Sequence, residues 1–183
     1  MTEPSADDVL HRWNPAGWAR LRGDTPVPRV LVAAVPGSGE DDLVAELDEL
    51  NGTGDIAYVR DGPAAVVLMV LEASASVGRT ELAALESAAH DAARVVCALT
   101  GVDRYPQWRR VLDADAAVLR RHTDLDTTIL PVATAVAVRA REMGGDTGHV
   151  LRLESGIVDL HETLRAAAVA AHTATVARSA VVA

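Results

Sequence analysis

The chain contains no lysine: all seventeen of its basic residues are arginine. That absence removes the chemistries that need an ε-amine, among them Schiff-base catalysis and the lysine of a phosphate-binding loop. There is a single cysteine, Cys97, so no internal disulfide can form. It stands inside the apolar run Val95 to Leu99, which suits a small core residue better than a nucleophile. Apolar runs stay near ten residues, too short to cross a bilayer. Clustered positive charge is also missing. Net charge is -9, and the pairs Arg109-Arg110 and Arg120-Arg121 sit among acidic residues, which excludes nucleic acid as a partner. The first ten residues are acidic and polar, the opposite of a secretory signal. The expectation is a cytoplasmic protein with no stable membrane insertion.

What is present is ample apolar material. With 183 residues and 49% hydrophobic composition, the chain suffices for one domain with a sizeable core and is too rich for general disorder. Residues 5–22 form a short amphipathic entry segment carrying Trp13 and Trp18. Arg29 to Val35 is apolar, β-branched and bounded by Pro28 and Pro36, a buried-strand pattern. After the loop 36–39, Glu40 to Leu50 has Leu43, Leu47 and Leu50 at helical spacing and acids in its first turn, where the dipole favours them. The turn-rich stretch 51–63 has room for one short strand near 55–60. Further strands are expected at 64–71, 94–99 and 127–132, and helices at 79–91, 108–122 and about 136–143. Gly144 to Gly148 is a loop, and Ser155 caps a last helix that runs into an Ala-rich tail. Strands apolar on both faces, alternating with amphipathic helices, predict a mainly parallel α/β sheet of four to five strands covered on both sides. The organisation expected is an entry segment (1–28), a central domain (29–165) and a C-terminal helix or tail (166–183).

In such a sheet the loop after the first strand is where phosphate usually binds, at a helix N-terminus. A P-loop reads G-x-x-x-x-G-K-[ST], with lysine on the phosphates and the hydroxyl residue on magnesium. Aligned on its second glycine, the chain has Ala34 for the first glycine, then Gly37, Ser38 and Gly39, then Glu40 for lysine and Asp41 for the hydroxyl. At an effective dielectric near 20, a like-charge contact at about 4 Å opposes binding by about 4 kcal/mol. The bland reading, an ordinary strand-to-helix turn with an acidic first turn, outweighs a working phosphate site.

A second stretch is more specific. Val95 to Leu112, with Thr100, Asp103 and the run Tyr105-Pro106-Gln107-Trp108-Arg109, resembles the guanine-recognition strand and following helix of actinobacterial dynamin-like P-loop GTPases, the isoniazid-induced type. In that family the strand ends [NT]-K-x-D and Tyr-Pro-x-Trp-Arg commonly follows. Leu130 to Thr134 is similar to its last nucleotide-contacting strand and loop, and Gly156 to Leu160 to the opening of its final helix. The Ala- and Arg-rich composition suits a high-GC genome. The resemblance implies a P-loop GTPase-like fold over about residues 29 to 165, with Thr100 and Asp103 as a relic base-recognition pair. The departures fall on function. Gly101 replaces the lysine that packs on guanine, no D-x-x-G precedes the second long strand, and the switch segment has shrunk to about a dozen residues.

These departures imply a non-catalytic pseudo-GTPase with no cofactor, because phosphoryl transfer depends on positioning and charge neutralisation by lysine and magnesium ligands. The expected role is a protein-interaction, scaffold or regulatory module. Its partner would be a second copy of the chain or a dynamin-like GTPase, with the 166–183 tail among the contacting elements. One alternative is an atypical nucleotide-binding hydrolase in which Arg29, Arg60 or Arg104 replaces the lysine. Another is a small-ligand sensor using the vacated pocket. The six histidines show no zinc-type spacing, no G-x-S-x-G elbow is present, and Ser38 precedes no suitable base. Asp103 fits a relic or helix-capping aspartate, and Trp108 fits a packing residue.

Overall fold

The computed structural model describes residues 27–181 except 53, 91 and 124–126, with side chains described through 174. The entry segment 5–22 lies outside the described residues. The elements, in chain order, are β1 (Arg29–Ala34), α1 (Glu40–Leu50), β2 (Ala57–Val59), β3 (Val66–Glu72), α2 (Arg79–Ala88), β4 (Arg94–Thr100), α3 (Trp108–His122), β5 (Thr127–Val132), α4 (Thr134–Met143), α5 (Gly145–Glu154) and α6 (Ile157–Val181). The five strands form one sheet in the order β2-β1-β3-β4-β5, and every pairing is parallel.

Strand β3 shows why these sequences became strands. Val66, Leu68 and Val70 enter one core and Val67, Met69 and Leu71 the other, all at most 3% exposed. A period of two on a strand buried on both faces requires an unbroken apolar run, which is what residues 66–71 supply. The first core gathers α1 through Leu43 and Leu47, α4 through Ala137, and α6 through Leu160 and Leu164. The second gathers α2 through Leu85 and α3 through Val111 and Leu119, with Cys97 on its sheet face. Helices therefore cover both faces. Cys97 is fully buried and its thiol is pushed up to about 12, by burial first and then by the Asp115 carboxylate. It is a core residue.

The sequence pattern misplaces several boundaries. The second long strand starts at Val66 rather than 64 and extends to Glu72, and α2 stops at Ala88 rather than 91. The larger correction is Gly144 to Gly148, expected as a loop. Only Gly144 and Gly145 carry the positive φ of a break; α5 starts at Gly145 and runs through Gly148. The reason is packing. A Cβ on Gly148 would lie 2.5 Å from the Ala140 carbonyl oxygen, so glycine lets α5 close against α4. Ser155 ends α5 and assists the next helix: its hydroxyl accepts from the Ile157 N–H at 3.3 Å and donates to the Arg152 carbonyl at 2.6 Å. Helix α6 continues without interruption past residue 165, and Ala167 and Ala168 join the first core. The Arg165–Asp55 ion pair at 3.1 Å and the Tyr58 hydroxyl at 3.1 Å from His161 Nδ1 fasten α6 to the β2 edge.

Gly156 has φ +76, and a Cβ there would stand 2.4 Å from the Pro131 carbonyl oxygen, a backbone atom that cannot step aside. Gly39 has φ +78 but open space around the position. Gly39→Ala is expected to cost roughly 1–2 kcal/mol, the left-handed backbone alone. Gly156→Ala is expected to cost roughly 3–4 kcal/mol, because the clash adds to the backbone term. Urea denaturation of both variants checks the ordering.

Candidate functional site

Strand β1 lies between β2 and β3, so the connections leaving β1 and β2 run to opposite sides of it. In open α/β sheets, ligands bind at such a reversal, outside the carboxyl ends of the strands. A cavity of about 150 Å³ sits there, lined by Val35 to Ser38 after β1 and by Val70 to Val77 and Glu81 around the end of β3.

The β1–α1 loop is shaped by two glycines with φ +92 (Gly37) and +78 (Gly39). The Ser38 N–H turns back to the Val35 carbonyl at 3.2 Å. The Ser38 hydroxyl donates to Glu40 Oε2 at 3.2 Å, so the Glu40 carboxylate folds onto the loop. Asp41, next in the helix, is paired with Arg60 at 2.5 Å. The first turn of α1 thus presents three acids, Glu40, Asp41 and Asp42, with no side-chain cap.

The facing wall repeats the theme. The two N–H groups leading into α2 are those of Val77 and Gly78. Asp115 Oδ1 accepts from Val77 at 2.8 Å, and Glu81 Oε2 accepts from Gly78 at 3.0 Å. A helix N-terminus binds anions through free N–H groups and its dipole. The α2 start already holds the protein's own carboxylates, whereas the α1 start carries three acids in its first turn without a side-chain cap.

Glu72, the residue that ends β3, gathers the remaining contacts. Its carboxylate accepts from the Ser74 hydroxyl at 2.9 Å and the Tyr105 hydroxyl at 3.2 Å, and Arg104 stands at 3.8 Å. Thr100, buried at the end of β4, has its hydroxyl within reach of two carbonyls, Leu71 at 3.0 Å and Ser38 at 3.1 Å. With one proton to donate, it holds either the end of β3 or the β1–α1 loop at a given moment.

Of the residues expected at the site, Gly37, Ser38, Gly39, Glu40, Asp41 and Thr100 come together. Asp103 does not join them. It is exposed in the turn 101–104, and α3 begins at Trp108 with Gln107 at the cap position, so Asp103 caps no helix. Gly101 has φ +72, and a Cβ there would be 3.2 Å from the Tyr105 ring. A lysine at that position would be strained and would displace Tyr105. Trp108 packs on the second core beneath the Arg109 guanidinium, 4.3 Å from the ring centre. Of the three arginines considered as lysine substitutes, Arg60 and Arg104 reach this edge, each facing a carboxylate. Arg29 starts β1 at the opposite end and donates to the Asp61 carbonyl. Glu72, Glu81 and Asp115 belong to no motif of the sequence, and Tyr105 enters it only through the Tyr-Pro-x-Trp-Arg run. Glu72 had a signal, being the first charge after a wholly apolar strand. Asp115 had none, since its burial depends on where α3 docks. Among the described residues no group of three or more His, Cys, Asp or Glu is arranged to hold a metal, and no helix is long and apolar enough to cross a membrane.

No protein-family model and no curated protein matches the chain. Among solved structures, it is similar to Sup35 in complex with GDP, at 13% identity and a TM-score of 0.49, over 73% of this chain and 43% of that one. This chain therefore spans less than half of that protein. It is also similar to nucleolar GTP-binding protein 1 from Plasmodium falciparum, at 8% identity and a TM-score of 0.43, over 82% of this chain and 94% of that one. At such identities and TM-scores the chemistry must be read from this chain's own side chains.

Asp115 provides a test of the wall. It is fully buried with Oδ2 unpartnered, and desolvation raises its pKa against the opposing Val77 hydrogen bond. A raised carboxyl contributes stability that is complete below its unfolded value of 3.8 and is lost as pH rises through the folded value. Asp115→Asn keeps the Oδ1 acceptor and cannot ionise. The melting temperature of the variant relative to the parent is therefore expected to be higher at pH 7.5 than at pH 4. His161, lowered by burial and by Arg165, works in the other direction but is common to both proteins and cancels.

Proposed function

We propose that this chain is a GTPase-like domain without nucleotide hydrolysis, serving in the cytoplasm as a protein-interaction or scaffold module that engages a second copy of itself or a dynamin-like GTPase. The observation that supports it is the occupation of the phosphate position. The loop after β1 has the placement and glycines of a phosphate-binding turn, yet Glu40 closes on Ser38, and Asp115 and Glu81 take the N–H groups of the facing helix. The cavity between them, about 150 Å³, is well below the roughly 300–1,000 Å³ of small-molecule sites. Positioning and charge neutralisation, the two means by which phosphoryl transfer is accelerated, both have the wrong sign here.

The module reading draws on exposed apolar side chains near the C-terminal end of the chain: Met143, Val150, Leu153 and Val169 are each about half exposed. Val150 and Leu153 are one turn apart on α5 and share a face. The atypical-hydrolase reading has one observation in its favour, the pairing of Arg60 with Asp41 and of Arg104 with Glu72 at the carboxyl edge of the sheet. It requires both to leave their carboxylate partners when nucleotide arrives.

A thermal scan with GTP, GDP or ATP plus magnesium separates the two readings. A ligand at 100 times its dissociation constant adds about 2.7 kcal/mol. For a chain of this size that is a rise of roughly 5–10 °C. No rise is expected with any of the three, and a saturable rise supports the hydrolase reading instead. Light scattering over a concentration series tests the module reading. The mass is expected to exceed the 19.2 kDa of one chain and to fall toward it in Leu153→Glu. A mass of one chain throughout removes self-association.

A further inference from the structure

Strand β2 is a short edge of the sheet. It has three residues, all half-buried, and it pairs with β1 alone: Ala57 stands opposite Arg29, Tyr58 opposite Val30 and Val59 opposite Leu31. The Ala57 N–H donates to the Pro28 carbonyl at 2.8 Å, and the Asn51 side-chain amide donates to the Ile56 carbonyl at 2.6 Å just before the strand. So short a strand makes few ladder bonds, and contacts to its side chains decide how firmly it is held.

Those contacts come from α6. The Tyr58 hydroxyl lies 3.1 Å from His161 Nδ1, and one turn further on Arg165 pairs with Asp55 at 3.1 Å. Both partners of the ion pair are about half exposed, so solvent screens it. The Tyr58–His161 contact is partly buried and is the stronger tie. Burial first, and then the Asp48 charge on α1, keep the phenol protonated. With the imidazole neutral and its proton on Nε2, the Tyr58 hydroxyl donates to Nδ1. A proton on Nδ1 removes that acceptor. Turning the bond around leaves the phenol proton without a place, because among the described residues His161 is the only hydrogen-bond partner of this hydroxyl.

The charges around the ring are mixed. Glu162 and Asp55 favour the imidazolium, whereas burial and then Arg165 oppose it, and the net effect lowers the His161 pKa. Leu160 and Leu164 on the same helix are fully buried, which anchors α6 and leaves β2 as the element free to move.

We infer that Tyr58 and His161 form a proton-controlled latch: at neutral pH it seats β2 on α6, and a proton on His161 opens it and frees the outer edge of β1. A histidine lowered in the closed state contributes stability that is complete above its ordinary value of 6.5 and is lost as pH falls through the closed-state value. The freed edge presents backbone N–H and C=O groups to which another strand can pair. Neither Tyr58 nor His161 belongs to the crevice, so the latch stands apart from the pseudo-GTPase reading.

Amide exchange on the full chain, read by NMR at Ala57 and at Val67 in β3, tests it. Each rate is divided by that of an unstructured amide at the same pH. Between pH 7.5 and pH 5, Ala57 is expected to lose at least about threefold of its protection while Val67 keeps its own. His161→Asn leaves an acceptor close to the Nδ1 position and takes no proton, so Ala57 is expected to be equally protected at both pH values in that variant. In the parent, the loss at Ala57 is expected to follow the titration of the His161 ring, below 6.5, which keeps the test decisive if His161→Asn fails to fold. The inference is overturned if Ala57 protection is flat across the range, or if it falls equally in His161→Asn, since another group would then be responsible. A His161 ring that titrates at or above 6.5 overturns it as well.

Discussion

Parallel pairing of β1 with β2 on one side and β3 on the other is the constraint from which the rest of this molecule follows. It buries Val30 and Val32 against one helical layer and Ala33 against the other, and it fixes where the chain must reverse direction. At the carboxyl ends of β1 and β3 that reversal opens the small crevice. Along the sheet face, the helix-free return from β2 to β3, residues 60–65, opens a groove against Ala84 and Ala88 of α2. Both features come from the same strand order, and neither would exist in a simple sequential sheet.

Three carboxylates then decide what the crevice is able to do. Glu40 bonds back onto Ser38, Asp115 takes the Val77 N–H, and Glu81 takes the Gly78 N–H. Each hydrogen bond is ordinary by itself. Together they occupy the Ser38 hydroxyl and the two N–H groups leading into α2 with internal negative charge, while the first turn of α1 has acids but no side-chain cap. Thr100 links the end of β4 to this arrangement through the carbonyls of Leu71 and Ser38. The position that resembles a base-recognition residue therefore has a structural task of its own, holding either the end of β3 or the β1–α1 loop.

Three strands could be read from the chain because burial on both faces demands long apolar runs, and 30–34, 66–71 and 95–99 contain nothing else; the edge strand 127–132 opens on two threonines and is mostly half-buried. The acids at 40–42 likewise marked the start of α1. Residues whose role depends on a neighbouring element could not be read. Gly148 is a helix residue because Ala140 lies across from it, and three glycines in five positions look like a loop until that contact is known. Asp115 sits in a helix rich in polar residues, and only the docking of α3 against the Val77 turn buries it. Asp103 matched a motif, but the turn that carries it faces solvent.

The central claim is that the loop after β1 holds the protein's own carboxylates and has no affinity for phosphate. The measurement closest to that claim is a titration of the full chain with magnesium pyrophosphate, and then GTP, followed at the backbone amides of Gly37, Ser38 and Gly39 by NMR. The account predicts that these three resonances stay where they are across the titration. A saturable shift at Gly37 to Gly39 with either ligand would contradict it.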